Sequence, residues 1–223
     1  MTERPLPGWG RLWLGAVVAI LLSACANLPT TRVPDLNALD ASGRFVAKVS
    51  FSAPIGSEAR KDSATGRFVL QRRPGLLQLE LASPFGQAMA RFTQTDSQSR
   101  AWIASPSARE IDGESLESLS TELLGWPVPV QKLATWISLL PSENAPEQLR
   151  ALGLEVKLTN ATQRQSGAGA VSTISDGLWT LVVNDWLASA GAEQPRRPRL
   201  ISLTNALGSK AEVELRLIIE SWD

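Results

Sequence analysis

Apolar and polar residues alternate along much of the chain with the two-residue period of β-strands. In RFVAKVSF (44–51), the side chains of Phe45, Ala47, Val49 and Phe51 fall on one face. Further strands are predicted at 66–73, 75–82, 86–92, 99–105, 153–159, 178–185, 199–204 and 210–222. Short turns containing Pro or Gly separate the first of these segments, and this spacing predicts an antiparallel meander.

The period changes to that of a helix between residues 115 and 141. Four leucines recur at helical spacing between Ser115, a predicted N-cap, and Gly125, a predicted stop. A second helix is predicted from Pro129 to Pro141, and its apolar stripe consists of Val130, Leu133, Trp136, Ile137 and Leu140. Such a stripe is by itself typical of a helix that packs against a protein core. The pattern predicts a mainly β protein with helices (α+β).

Three segments have no sustained period. ANLPTTRVPDLNALDASG (26–43) contains two prolines and predicts an extended tether that closes with a helical turn at 35–41. The segments 165–177 and 189–199 are rich in Gly, Ser or Pro and predict long flexible connections.

The N-terminus has the pattern of a secretion signal. Arg4 and Arg11 give a short basic region before LWLGAVVAILL (12–22), whose eleven uncharged residues are too few to span a bilayer but suit a signal peptide. LSAC (22–25) is similar to the lipobox of bacterial lipoproteins and ends in Cys25, the single cysteine. The alternative is an ordinary signal peptide with a chance cysteine.

The lipobox similarity implies cleavage before Cys25 and lipidation of its sulfur. Ala26 follows, not the Asp that signals retention in the inner membrane, so we expect an outer-membrane lipoprotein facing the periplasm. The predicted organisation is a signal peptide over 1–24, a lipidated N-terminus and tether over 25–40, and one domain over 41–223.

Composition argues against several function classes. The formal net charge is zero, which gives no electrostatic basis for nucleic-acid binding. The chain has no histidine, which excludes histidine-based catalysis and zinc ligation by histidine. The pairs Asp112/Glu114 and Glu117/Glu122 cluster at a predicted helix start, where carboxylates favour the dipole. We therefore expect no enzyme activity, no cofactor and no metal.

Aromatic residues leave two questions open. Six of the eight tryptophans lie in the predicted mature chain, which has no tyrosine, and they can pack a core or line a cavity for an apolar ligand. Phe85 stands at the tip of the hairpin LELASPFGQAMARF (79–92), although neither turn geometry nor solvent exposure favours an aromatic ring there.

Several of these segments together resemble the LolB family of outer-membrane lipoprotein receptors. The strongest resemblance lies in ELLGWPVPVQKLATWISLLP (122–141). This segment has the family's Gly-x-Pro-apolar-Pro pattern, followed by a helix that ends in Leu-Leu-Pro. GRFVAKV (43–49), the hairpin and the strand ending in Trp222 also fit. The resemblance covers about residues 40–222 and thins at 160–177 and 187–199.

The resemblance implies an incomplete antiparallel β-barrel of the LolA/LolB type, with helices covering an apolar cavity. Such proteins accept acylated lipoproteins from the periplasmic carrier LolA and insert them into the outer membrane, so the implied partners are LolA, cargo acyl chains and the inner leaflet of that membrane. We expect a monomer. From the alternation, the acyl-binding cavity is expected to involve Phe68, Leu79, Leu81, Phe92, Leu133, Trp136, Ile137 and Trp179.

The hairpin tip, Pro84, Phe85 and Gly86, is then expected to contact the membrane. The family usually has leucine at the position of Phe85. The alternative is that the ring folds back onto the sheet as turn packing. Alternative functions on the same fold are an RseB-like lipid or lipoprotein sensor without transfer activity and a subunit of an outer-membrane assembly machine.

Overall fold

Eleven strands and three helices make up the part of the chain that the structure describes. In this computed structural model, that part comprises residues 38–51, 60–104, 108–158, 171–187, 196–205 and 211–222. The helices are α1 (Leu116–Leu124), α2 (Val130–Leu139) and α3 (Ala145–Ala151). The strands are β1 (Leu39–Phe51), β2 (Lys61–Arg73), β3 (Leu76–Ala82), β4 (Ala88–Thr95), β5 (Ser99–Ile103), β6 (Arg109–Gly113), β7 (Glu155–Leu158), β8 (Val171–Ser175), β9 (Trp179–Trp186), β10 (Pro198–Asn205) and β11 (Ala211–Trp222).

All of these strands belong to one antiparallel sheet in the order β6-β5-β4-β3-β2-β1-β11-β10-β9-β8-β7. β1 and β11, from opposite ends of the chain, pair in the middle from Ala41↔Trp222 to Phe51↔Ala211. Each half of the sheet is a simple meander that leads outward to an edge strand. The edges β6 and β7 are joined by the helical segment, so the helices cross the gap that the open sheet leaves.

The buried face of the sheet packs against the helices and forms the core. In β1 the buried and more exposed residues alternate, and Phe45, Ala47 and Val49 are on the buried face. α1 contacts β4, β5 and β6, α2 contacts β2, and α3 contacts β7 and β8. Because the helices contact both halves of the sheet, the sheet must curve around them as an incomplete barrel.

The other face of the sheet is polar and carries cross-strand ion pairs. Arg91 lies opposite Glu80, with 2.7 Å between Arg91 Nε and the Glu80 carboxylate, and Arg100 lies opposite Asp112 at 2.8 Å. Such exposed pairs add little stability each. They do specify register, because a slip of one residue would turn charged side chains towards the core.

The predicted fold class is confirmed, since the structure is mainly β with helices on an open antiparallel sheet. Both ends of α1 are as predicted: Ser115 Oγ accepts the Ser118 N–H at 3.1 Å, and Gly125 is left-handed at φ 80°. None of the described helices has the length and apolarity needed to cross a membrane.

Other local predictions are wrong. Residues 39–41 are not part of a helical turn but begin β1, where they pair with β2 and β11. Residues 171–175 are not a flexible connection but strand β8, which is held between β7 and β9. Strand β6 and helix α3 were not predicted. The signal peptide (1–24), Cys25 and most of the tether lie outside the described residues.

The hairpin β3–β4 contains a β-bulge that the alternating pattern does not reveal. Leu81 pairs with Ala90, but the next residue, Ala82, pairs with Ala88, so Met89 is the extra residue of β4. The bulge moves Ala88 to the exposed face, although it was predicted to share a face with Ala90 and Phe92.

Gly66 offers a test of the packing between β1 and its neighbours. It pairs with Phe45, and a Cβ there would overlap the Ala82 carbonyl and approach the Phe45 ring to 2.8 Å. We expect Gly66→Ala to lower the free energy of unfolding by about 1–3 kcal/mol through overpacking. Ser63→Ala, at an exposed site on the same strand, should change it by less than about 0.5 kcal/mol. Denaturant titration measures both, and equal stability of the two variants would contradict the close approach.

Candidate functional site: an apolar chamber beneath helix α2

An apolar chamber lies between the helices and the central strands. Its volume is about 20 Å³, little more than one water molecule needs, so the surrounding side chains almost fill it. No polar surface lines it. The lining residues are Phe45, Phe68, Leu70, Leu79, Leu81, Trp126, Val128, Leu133, Leu215 and Leu217.

Strand register and a helix linker bring these side chains together. On the sheet, Phe68 pairs with Leu81 and Leu70 with Leu79, so the apolar rows of β2 and β3 lie side by side. Opposite them, the linker between α1 and α2 contributes Trp126 and Val128. Ser120 is fully buried and its Oγ accepts the Val128 N–H at 2.8 Å, which fixes this linker against α1.

Helix α2 separates the chamber from a larger groove. Leu133 points into the chamber, whereas its neighbours Lys132, Thr135 and Trp136 line a groove of about 880 Å³. The groove also has walls from the β2–β3 turn, the β4–β5 turn and the segment after α3. Unlike the chamber, it combines charged residues such as Arg72 and Asp176 with leucines.

Polar contacts hold α2 to both halves of the sheet. Thr135 Oγ1 accepts a hydrogen bond of 3.1 Å from Arg72 on β2, and Gln131 bonds Gln94 on β4 at 2.6 Å. On the other half, Lys132 Nζ lies 2.9 Å from the carboxylate of Asp176 in the β8–β9 turn. We name these three contacts the α2 latch.

Asp176 serves both the latch and its own turn. Its Oδ1 accepts the N–H groups of Leu178 at 2.9 Å and Trp179 at 2.7 Å. Burial, the largest single influence, raises the pKa of Asp176, but the hydrogen bonds from Lys132, Trp179 and Leu178 together outweigh it and lower the pKa below its ordinary value. The carboxylate is therefore charged at neutral pH and pairs with Lys132.

The hairpin tip projects into solvent. Phe85 is 93% exposed, so its ring does not fold back onto the sheet. Gly86 is left-handed at φ 84°, and its N–H donates to the Ser83 carbonyl at 2.9 Å, which closes the turn. The bulge residue Met89 is a second exposed apolar side chain of this hairpin at 38% exposure.

The eight residues expected around a cavity fall into three groups. Phe68, Leu79, Leu81 and Leu133 line the chamber. Trp136, one turn along α2 from Leu133, lines the groove and not the chamber. The other three are buried in the core but do not belong to the chamber lining: Phe92, Ile137 and Trp179.

Six chamber residues were not singled out from the sequence. Phe45, Leu215 and Leu217 lie in segments that were predicted as strands, but their position near the sheet centre follows only from the β1–β11 pairing. Trp126 precedes Pro127, and Val128 stands between Pro127 and Pro129, in an irregular linker where no period indicates a direction. Leu70 alternates with Phe68 and was detectable by the same rule.

The antiparallel sheet is open, and a wholly apolar chamber lies between it and the helices. Proteins of this class are suited to binding apolar ligands. Among the described residues, no group of three or more Cys, Asp or Glu side chains could hold a metal ion. The site therefore offers apolar burial and an exposed apolar tip.

Comparisons with known proteins identify the family. A family model described as outer membrane lipoprotein LolB matches residues 47–222. An outer-membrane lipoprotein LolB from Cupriavidus taiwanensis is 26% identical over 91% of this chain and 92% of that protein. A LolB from Pseudomonas aeruginosa is 28% identical over 95% of both chains. Among solved structures, a LolA superfamily protein from Nitrosomonas europaea matches with a TM-score of 0.41 and 12% identity, over 85% of this chain and 86% of that one.

The chain belongs to the LolB family. It is an outer-membrane lipoprotein that faces the periplasm and has a receptor function in lipoprotein localisation.

The latch predicts a pH-dependent contribution to stability. Asp176→Asn keeps the acceptor for Leu178 and Trp179 but removes the charge that pairs with Lys132, so we expect a loss of about 1–2 kcal/mol at pH 7. The pKa of folded Asp176 lies below the ordinary value near 3.8. The pair's contribution is therefore complete above pH 3.8 and is lost as the pH falls through the folded value. Wild type and variant should converge in stability there.

Asp185→Asn is a matched control, because Asp185 pairs with Arg199 at 3.5 Å on the exposed surface. It should change the free energy of unfolding by less than about 0.5 kcal/mol. Unfolding measured at pH 7 and at a series of pH values below 3.8 tests the latch, and a gap between wild type and Asp176→Asn that does not shrink as the pH falls below 3.8 would contradict the ion pair.

Proposed function

We propose that this chain accepts the acyl chains of lipoproteins from the periplasmic carrier LolA into the chamber beneath α2 and delivers them to the outer membrane at the Phe85 hairpin. The single observation that carries the proposal is the wholly apolar chamber, shut by a helix that polar contacts hold in place. The transfer involves no covalent step.

Apolar burial explains why a chamber is needed. Each methylene of an acyl chain costs about 0.8 kcal/mol when it is exposed to water, so a lipoprotein must pass between dry sites. A volume of about 20 Å³ cannot admit an acyl chain, so the walls must move apart for binding. We infer that α2 is the wall that moves, because its outer side already faces the open groove.

The direction of transfer is then a matter of relative affinity. A ligand shifts an equilibrium only by its differential affinity for the two states, so the receptor must hold acyl chains more tightly than the carrier does. Breaking the α2 latch costs free energy, and burial of the acyl chains against the chamber lining offsets that cost.

Delivery is assigned to the hairpin tip of Pro84, Phe85 and Gly86. The geometry of this turn does not require an aromatic ring. An exposed aromatic ring is suited to the interface of a bilayer. Lipidation of Cys25 anchors the domain there in this proposal. Residues 25–37 can span up to about 45 Å when fully extended, a reach that leaves the tip free to turn towards the membrane.

The family assignment favours a receptor over a sensor without transfer activity. A subunit of an assembly machine would use a surface patch for its partner, whereas the feature found here is an internal apolar chamber.

Photo-crosslinking can test where acyl chains bind. A diazirine-bearing side chain at Leu81, which is half-buried at the chamber wall, should capture the acyl chains of a bound lipoprotein. The same group at Lys48, on the exposed face of β1, should capture none. At Trp136 it should capture acyl chains only if they cross the groove on their way in. Capture at Lys48 without capture at Leu81 would place the lipid on the wrong face of the sheet and reject the chamber.

Substitution of Phe85 can test delivery separately from capture. Phe85→Glu should change stability by less than about 0.5 kcal/mol because the ring is exposed, and acceptance of cargo from the carrier should continue. Transfer from receptor to liposomes should fail, since a charged tip is repelled from the apolar layer. Phe85→Leu should deliver normally. Leu178→Glu, at another turn whose leucine is 64% exposed, is the matched control and should also deliver. Normal delivery by Phe85→Glu would refute the role of the tip.

A further inference from the structure

A second, shallow pocket lies on the outer face of the sheet beside the hairpin tip. Its volume is about 130 Å³, and it is separate from the groove along α2. Gly86 of the tip itself is part of its wall. The side chains that distinguish it are two arginines, a glutamate and a tryptophan: Arg67, Arg91, Glu80 and Trp102.

The pocket exists because small residues stand between the large ones. Ala82 and Ala88 pair across β3 and β4 next to the tip, and both line the pocket. The bulge at Met89 is what turns Ala88 to this face. Arg67 pairs with Ala82, and Trp102 pairs with Arg91, so the longer side chains surround a floor of alanines.

Both arginines keep donors available for a ligand. Arg91 Nε lies 2.7 Å from the Glu80 carboxylate, and Arg67 lies 3.6 Å from Glu220, which also pairs with Arg44 at 2.6 Å. A guanidinium has five N–H donors, so one carboxylate leaves several of them for a second anion. Their side chains are 58% and 53% exposed, which makes both accessible from solvent.

We propose that this pocket binds the phosphate of a bilayer phospholipid when the hairpin tip enters the membrane, with Arg67 and Arg91 as donors and Trp102 at the level of the headgroups. This inference rests on the proposed role of the tip, which brings the pocket to the membrane surface. Arginine matches phosphate through paired N–H groups, and tryptophan favours the boundary between headgroups and acyl chains. The site would thus fix how deeply and in which orientation the tip enters.

Vesicle binding by the Cys25→Ala chain, expressed without the predicted signal peptide 1–24, tests the proposal, because this form lacks both the apolar signal segment and the proposed lipid anchor. The probes are vesicles of phosphatidylethanolamine with phosphatidylglycerol and, as a phosphate-free bilayer, vesicles of digalactosyldiacylglycerol. The test variant carries Arg67→Gln and Arg91→Gln. The matched control carries Arg100→Gln and Arg199→Gln, which remove two ion-paired surface arginines outside the pocket.

We expect the test variant to bind phospholipid vesicles roughly tenfold more weakly than the parent chain, while its binding to galactolipid vesicles is unchanged. The control variant should retain most of its phospholipid binding. Phospholipids brominated near the headgroup should quench the tryptophan fluorescence of the bound parent chain. Trp102→Phe should remove part of this quenching. Thermal unfolding of each variant checks that the fold is intact.

Four outcomes would overturn the inference. An equal loss for test and control variants would show a general charge effect. An equal loss on both kinds of vesicle would exclude phosphate. Binding of inorganic phosphate in solution, lost in the test variant while vesicle binding stays unchanged, would assign the pocket to a free anion. If the arginine variant binds normally but Phe85→Glu does not, the pocket is rejected and the proposed role of the tip stands.

Discussion

The pairing of β1 with β11 is the contact on which the rest of the structure depends. It joins the two ends of the domain from Ala41↔Trp222 to Phe51↔Ala211 and makes them the centre of the sheet. Each meander then has to lead away from that centre, so the edge strands β6 and β7 come from the middle of the chain. The segment between these edges must cross the open side, and it does so as helices whose apolar faces pack on the sheet. The chamber is the space between the crossing segment and the central strands.

The proposed function requires α2 to be held firmly and still be released, and the same topology allows both. In a closed barrel, a continuous ladder of backbone hydrogen bonds would have to break before an acyl chain could enter. Here α2 is fastened across the opening by side-chain contacts from Arg72, Gln94 and Asp176. Each such contact contributes about 1–3 kcal/mol at most, which the burial of a few methylenes can match. The open sheet therefore limits the cost of opening to a small part of the fold.

Sequence patterns predicted the parts of this molecule that local chemistry determines. The alternation in β1 and the caps of α1 depend on neighbouring residues, and the structure bears both out. The same reasoning predicted only part of the chamber lining. Pairings between distant strands determine which inner-face residues meet there. Trp179 and Phe92 have the right chemistry and the right burial, but their strands do not bring them to the chamber. Strand β8 lies next to a segment rich in Gly and Ser and became recognisable only through its pairing with β7 and β9.

In the proposed function, strand β3 links the capture of acyl chains directly with their delivery. Leu79 and Leu81 line the chamber, and the same strand runs on into the turn that exposes Phe85. Leu81 and Phe85 are four positions apart along the chain, a distance of at most roughly 13 Å. A strand held by β2 and β4 on either side transmits position well, since its backbone hydrogen bonds leave little freedom. In the proposed function, contact of the tip with a membrane therefore fixes the place of the chamber wall, and an acyl chain that leaves the chamber along β3 emerges where the apolar layer begins. This geometry gives a reason for the aromatic ring at the hairpin tip that turn formation alone does not provide.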